Sequence, residues 1–128
     1  MGRRQVYEIP GVKHAAPIPF AARVGNMLYS SAIQGINAET GELSEDVYEQ
    51  ARQCFKNLRT LLEVANASPD DIVRMTCLLK DLGDREALNQ PWLEMFPDEH
   101  DRPARHTSKY DPPGGMKVQI EIVAVLPE

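Results

Sequence analysis

Apolar residues recur at spacings of three and four along one stretch of this chain: Val47, Ala51, Cys54, Leu58, Leu61, Leu62 and Ala65. That period makes one apolar stripe, and a helix is expected from about Glu45 to Ala65. Ser44 stands at the expected N-cap, and Glu45 and Asp46 bring negative charge to the first turn. Ser68-Pro69-Asp70-Asp71 then breaks the chain, and residues 72–79 read as a strand. Period-two alternation marks a short strand over 5–9, ended by Pro10-Gly11. Two more strands are expected over 21–24 and 27–33, turned at Gly25-Asn26. Residues 12–20 carry Pro17 and Pro19 and should be extended and irregular, while 37–43 read as a turn-rich loop. A second helix is expected from about Asp84 to Phe96, with Pro91 splitting or kinking it. Strands over 104–110 and 117–126 flank the turn Pro112-Pro113-Gly114-Gly115.

About six strands and two helices without strict alternation imply an α+β fold, a mostly antiparallel six-stranded sheet with both helices on one face. The long helix between two strands suggests a right-handed crossover. The length of 128 residues fits one domain spanning 1–128. In the last strand Val118, Ile120, Ile122 and Ala124 share one face, and Gln119, Glu121, Val123 and Val125 the other. That second face is half apolar, and two helices cover only one side, so the other side is expected to pack on another subunit.

Charge and composition narrow the partners. A net charge of −5 with only Arg3-Arg4 as a terminal basic pair disfavours a nucleic-acid backbone. No segment reaches the ~20 apolar residues of a membrane span, and no signal-peptide core opens the chain. Met1-Gly2 fails the myristoylation pattern at Val6, and Asn66-Ala67-Ser68 is read as a chance sequon. Cys54 and Cys77 match no zinc or redox spacing and read as small core residues, consistent with a reducing cytoplasm. No phosphate loop, dinucleotide motif or metal cluster stands out, so no cofactor and no metal are expected.

Two residues stand out chemically. Glu121 lies in a nearly apolar strand, where a carboxylate is costly unless solvated or paired. In a subunit cleft it would suit general-base work; on a wet sheet face it is an ordinary surface acid. Arg105 opens the neighbouring strand, and its guanidinium suits a carboxylate, though a structural ion pair is the plainer alternative. If these strands pair as a hairpin, the two side chains lie near the same end of it. His14, His100 and His106 show no metal spacing, and Ser31 has no nearby base, so it reads as a hydrogen-bonding residue.

Several stretches, in this order and spacing, resemble the Rid/YjgF family across almost the whole chain. They are Arg23 to Ser31, Thr40-Gly41-Glu42, Gln50-Ala51-Arg52-Gln53 with Asn57-Leu58, and the run from Asp71 to Asp81. Asn89, Pro103-Ala104-Arg105 and Val118-Gln119-Ile120-Glu121 complete the set. The resemblance implies a chorismate-mutase-like fold and a homotrimer with clefts between subunits. It also implies hydrolysis of enamine/imine intermediates, with a small carboxylate as substrate. In that picture Arg105 grips the substrate carboxylate and Glu121 positions and activates water. Ser31, Ala32, Asn89, Thr107 and Ile18 then line the cleft. Three departures stand out: Ala16-Pro17-Ile18 replaces a Gly-Pro-Tyr, so the pocket phenol is missing; Thr107 replaces a cysteine, and Ala32 a glycine. A larger enamine of the aminomuconate type, or a non-catalytic carboxylate-binding trimer, are the alternatives. A ribonuclease is disfavoured by the charge and the lack of a histidine pair.

Overall fold

The computed structural model describes residues 2–127. Strands β1 (Gln5–Tyr7), β2 (Ala21–Val24), β3 (Met27–Ser30) and β4 (Ile33–Gln34) precede helix α1 (Val47–Val64). Strand β5 (Ile72–Leu79), helix α2 (Arg85–Met95) and strands β6 (Ala104–Lys109) and β7 (Val118–Val125) follow. The sheet runs β1-β2-β3-β7-β5-β6, with β4 also paired to β7. Every pair is antiparallel except β5 with β6, which are parallel. The α+β class holds, with seven strands rather than six: the chain leaves the sheet at Ser31-Ala32 and divides the expected 27–33 strand. No helix is long and apolar enough to cross a membrane among the described residues.

One expected pairing is absent. Strands β6 and β7 are not a hairpin, because β5 lies between them. Strand β5 reaches β6 through α2, and a connection containing a helix returns a strand parallel to the first.

Helix α1 is anchored by polar groups inside its apolar stripe. Ala51, Cys54, Leu58, Leu61, Leu62 and Ala65 are buried as the period predicts, but so are Gln50 and Asn57. Gln50 Nε2 donates to the carbonyls of Ser44 and Gly115, and its Oε1 accepts from the Lys117 N–H. Asn57 Nδ2 donates to the carbonyls of Gln34 and Ile36, both at 2.9 Å. The amides thus fasten α1 to β4 and to the turn before β7. The N-cap is Asp46 rather than Ser44: Asp46 accepts from the Tyr48 N–H, and Ser44 Oγ accepts from the Asp46 N–H. Helix α2 runs unbroken through the buried Pro91, which deprives only the Ala87 carbonyl of its helical donor.

Two glycines fix the approach to the site. Gly35 lies so close to α1 that a Cβ would stand 2.3 Å from the Gln50 carbonyl oxygen. Gly11 closes the Ile9–Val12 turn with φ +85°, where a side chain would also meet the Ala38 carbonyl. Gly35→Ala should therefore cost about 1–3 kcal/mol by forcing β4 from α1. Urea unfolding measures this, and an unchanged midpoint would contradict the close packing.

Candidate functional site

The sheet has a covered face, under the helices, and an open face. Side chains of residues paired across strands share a face. Arg105 pairs with Met75, and Met75 with Ile122, so Arg105 belongs to the covered face. Thr107 pairs with Cys77, and Cys77 with Ile120, on the same face. Glu121 pairs with Thr76, and Thr76 with His106, so all three belong to the open face. Arg105 and Glu121 therefore lie on opposite faces with β5 between their strands, about 10 Å apart across the sheet. They do not meet within one chain.

The predicted residues divide into two groups. The first stands at the outer edge of the covered face, on β6 and α2. The Arg105 guanidinium lies 5.0 Å from the Trp92 ring centroid, a cation–π distance. No carboxylate pairs with Arg105 among the described residues. Asn89 lies one turn before Trp92 on the same stripe of α2, and Thr107 lies two residues beyond Arg105. This arrangement offers a cation without a carboxylate partner among the described residues, held over an aromatic ring at the sheet edge.

The second group gathers on the open face. Ser31 Oγ donates to the Pro19 carbonyl and the Ser31 N–H donates to the Phe20 carbonyl, both at 2.8 Å. These bonds dock the segment carrying Ile18 against Ser31-Ala32, where the chain passes alongside Glu121 between the β3 and β4 pairings. Ser31 thus hydrogen-bonds to the backbone of the segment before β2 through both its hydroxyl and its N–H. Glu121 is half-buried in a recess of about 240 Å3 lined by Tyr29, Ser30, Arg74, Thr76 and Val123. Ile18 lines a second hollow, of about 410 Å3, with Glu8, Lys13 and His14. A larger hollow, about 830 Å3, lies elsewhere, between Asp46, Lys80, Asp81, Lys109 and Lys117. It is an open, mixed-charge depression that none of the predicted site residues lines.

Sequence reasoning missed two polar side chains here. Gln34, 6% exposed, pairs in register with Gln119 on the open face, and its Nε2 lies 3.4 Å from His14 Nδ1. The His14 ring packs on Phe20 with centroids 4.0 Å apart. Twenty residues and an irregular segment separate the pair, and no local spacing reveals it.

The endoribonuclease L-PSP family model matches residues 13–126. The chain belongs to this family, the Rid/YjgF family. An Aquifex aeolicus relative named RutC family protein is 38% identical over 116 residues, covering 86% of this chain and 93% of that protein. A relative from Escherichia coli strain K12 named 2-iminobutanoate/2-iminopropanoate deaminase is 37% identical over 105 residues, covering 80% and 81%. The crystal structure of Escherichia coli TdcF with bound serine is similar with a TM-score of 0.85 and 27% identity, covering 96% and 99%. This Rid/YjgF chain shares their fold, and the pairing above describes how that fold arranges its own residues.

Burial raises both thiols. Cys77 is pushed up to about 12, although the Arg105 charge and the Thr107 hydroxyl beside it pull the other way. Cys54 is raised too, chiefly by burial. Both should resist iodoacetamide at pH 8 in the native protein and react once it is unfolded; rapid native labelling would contradict their burial. Burial lowers the His14 value below its ordinary 6.5, against an opposing pull from Glu8. The unfolded chain then takes up a proton that the folded one resists. The native Tm, relative to His14→Gln, should hold steady above pH 6.5 and fall as the pH drops below it. A flat difference down to pH 4.5 would contradict the shift.

Proposed function

We propose that this chain is a hydrolytic deaminase converting 2-imino acids to 2-oxo acids and ammonia, in clefts each completed by two copies of a homotrimer. The observation that carries the reading is the division of the site. Arg105 and Thr107 stand on one face of the sheet, on the side of α2 and Asn89, and Glu121 stands on the other, with Ser31-Ala32 and the segment carrying Ile18 alongside its strand. Two such halves make one cleft when the first group of one copy faces the second group of its neighbour. The open face supports association, because Val6, Met27, Tyr29 and Val125 expose large apolar surface there.

In the reaction, Arg105 holds the substrate carboxylate by two parallel hydrogen bonds. Water adds to the carbon of the protonated C=N bond, and the neighbour's Glu121 accepts a proton from it. The nitrogen of the resulting amino alcohol takes that proton back from Glu121. The C–N bond then breaks to release ammonia, while the hydroxyl proton passes to Glu121 and on to the ammonia as the carbonyl forms. The sum is protonated imine plus water to 2-oxo acid plus ammonium. The Escherichia coli relative's name supports this substrate class, and the serine bound in TdcF shows a relative holding a small carboxylate. Ile18 leaves one wall of the cleft apolar.

Light scattering at micromolar concentration should give about 43 kDa, three chains of 14.3 kDa. Imines made in situ by an amino-acid oxidase, with semicarbazide as trap, measure turnover. Arg105→Ala should lower the rate on the order of 100-fold without changing the mass, as expected for a lost charged anchor. Glu121→Gln should lower kcat on the order of 100-fold or more. Full activity in either variant would remove that residue from the mechanism. A fully active monomer would overturn the shared cleft.

A further inference from the structure

The Arg, Lys, Asp and Glu residues in register on this sheet are Arg23, Arg74, Arg105, Lys109 and Glu121. Arg23 pairs with Leu28 and Leu28 with Ala124, while Lys109 pairs with Leu79 and Leu79 with Val118. Both therefore belong to the covered face, as Arg105 does. Arg74 pairs with Val123, two residues from Glu121, and shares the open face with it. Among the described residues in register, that face holds one such cation and one such anion, Arg74 and Glu121.

Arg74 reaches the open face through an irregularity in β5. Ile72 pairs with Ala124 on the covered face, and strict alternation would carry Arg74 there too. A register shift between Ile72 and Arg74 inserts Val73 and turns Arg74 to the open side, as a bulge re-aims a side chain. Arg74 and Glu121 are then diagonal neighbours on adjacent antiparallel strands, about 7–8 Å apart, which a long side chain spans. Both line the recess of about 240 Å3 with Tyr29, Ser30 and Thr76.

In the single chain the two form no ion pair, and both reach water: Arg74 is exposed and Glu121 half-buried. Covering the open face removes that water. A charge sealed without a partner is costly, and here each has one opposite charge of its own chain within reach. A guanidinium can donate to one carboxylate oxygen and leave the second free to accept. We propose that Arg74 is the positioning residue of Glu121: in the covered cleft it holds one carboxylate oxygen and so aims the other at the attacking water. The proposal rests on the deaminase reading of the same cleft, and its test separates the two.

With imines generated in situ, Arg74→Gln should lower kcat on the order of 10-fold, part of what the base itself contributes. KM should stay within about twofold, because no substrate contact is lost. Arg74→Lys keeps a cation and should recover most of the native kcat. In a Glu121→Gln background, Arg74→Gln should lower kcat no further, since the carboxylate it positions is gone. Native kcat in Arg74→Gln, a rise in KM in place of a fall in kcat, a Lys variant as slow as the Gln variant, or losses that multiply in the double variant would each overturn the proposal. Thermal unfolding gives a readout independent of turnover. The Tm losses of Arg74→Gln and Glu121→Gln should not add in the double variant, because either change alone breaks the pair. Additive losses would overturn the pairing whatever the activity. If the native protein hydrolyses no imine while the Tm losses fail to add, the deaminase reading falls and the Arg74–Glu121 pair stands without it.

Discussion

A sheet has two faces, and this chain has helices for only one. Helices α1 and α2 bury Met75, Cys77, Leu79, Val118, Ile120, Ile122 and Ala124, and that single layer supplies the core. The remaining face keeps Met27, Tyr29 and Val125 in contact with water in the isolated chain, a combination that favours association. The same asymmetry governs the chemistry. Arg105 is a cation on the covered face, tolerated because β6 is an edge strand where helix cover ends and Trp92 offers its ring. Glu121 is an anion on the open face, tolerated because nothing in its own chain seals it. Within one chain, burying either group without a partner would be costly, and each is left partly open to water instead.

The register that produces this separation is enforced by α1. Buried amides are expensive unless every bond is made, and Gln50 makes three while Asn57 makes three, counting the bond from Gln53 to its oxygen. A slip of one residue in β4 or β7 would strand these groups, and a slip in β7 would also carry Glu121 to the covered face, because side chains alternate with period two. Polar groups inside the apolar stripe therefore select one pairing among several that hydrophobic burial alone would accept.

Much of this was legible in the sequence, for reasons that can be located. The stripe from Ala51 to Ala65 and the apolar run 72–79 are local patterns, and α1 and β5 lie where those patterns place them. The two faces of β7 were also readable from alternation alone. What escaped was non-local. Arg105 and Glu121 look like partners when β6 and β7 are taken as a hairpin, yet β5 is inserted between those strands and its odd and even positions set their faces. No spacing within 104–125 encodes that insertion. Ser44 is the cap the sequence suggests, and only the hydrogen bond to the Tyr48 N–H gives that place to Asp46. Pro91 does not split α2 in two, because the helix tolerates one lost hydrogen bond when the proline ring is buried.

The segment before β2 shows the same contrast between local and non-local signals. Read along the chain, it offers prolines and the apolar Ile18, with no period that assigns it a place. Read in space, it is fixed at three points. The Ser31 hydroxyl and N–H donate to the carbonyls of Pro19 and Phe20, and the His14 ring packs on Phe20 within 3.4 Å of the Gln34 amide on a different strand. Gly11 and Gly35 permit that packing, because a Cβ at either position would meet a backbone carbonyl. An irregular segment is therefore ordered by partners far away in sequence, and such order leaves no local pattern to read.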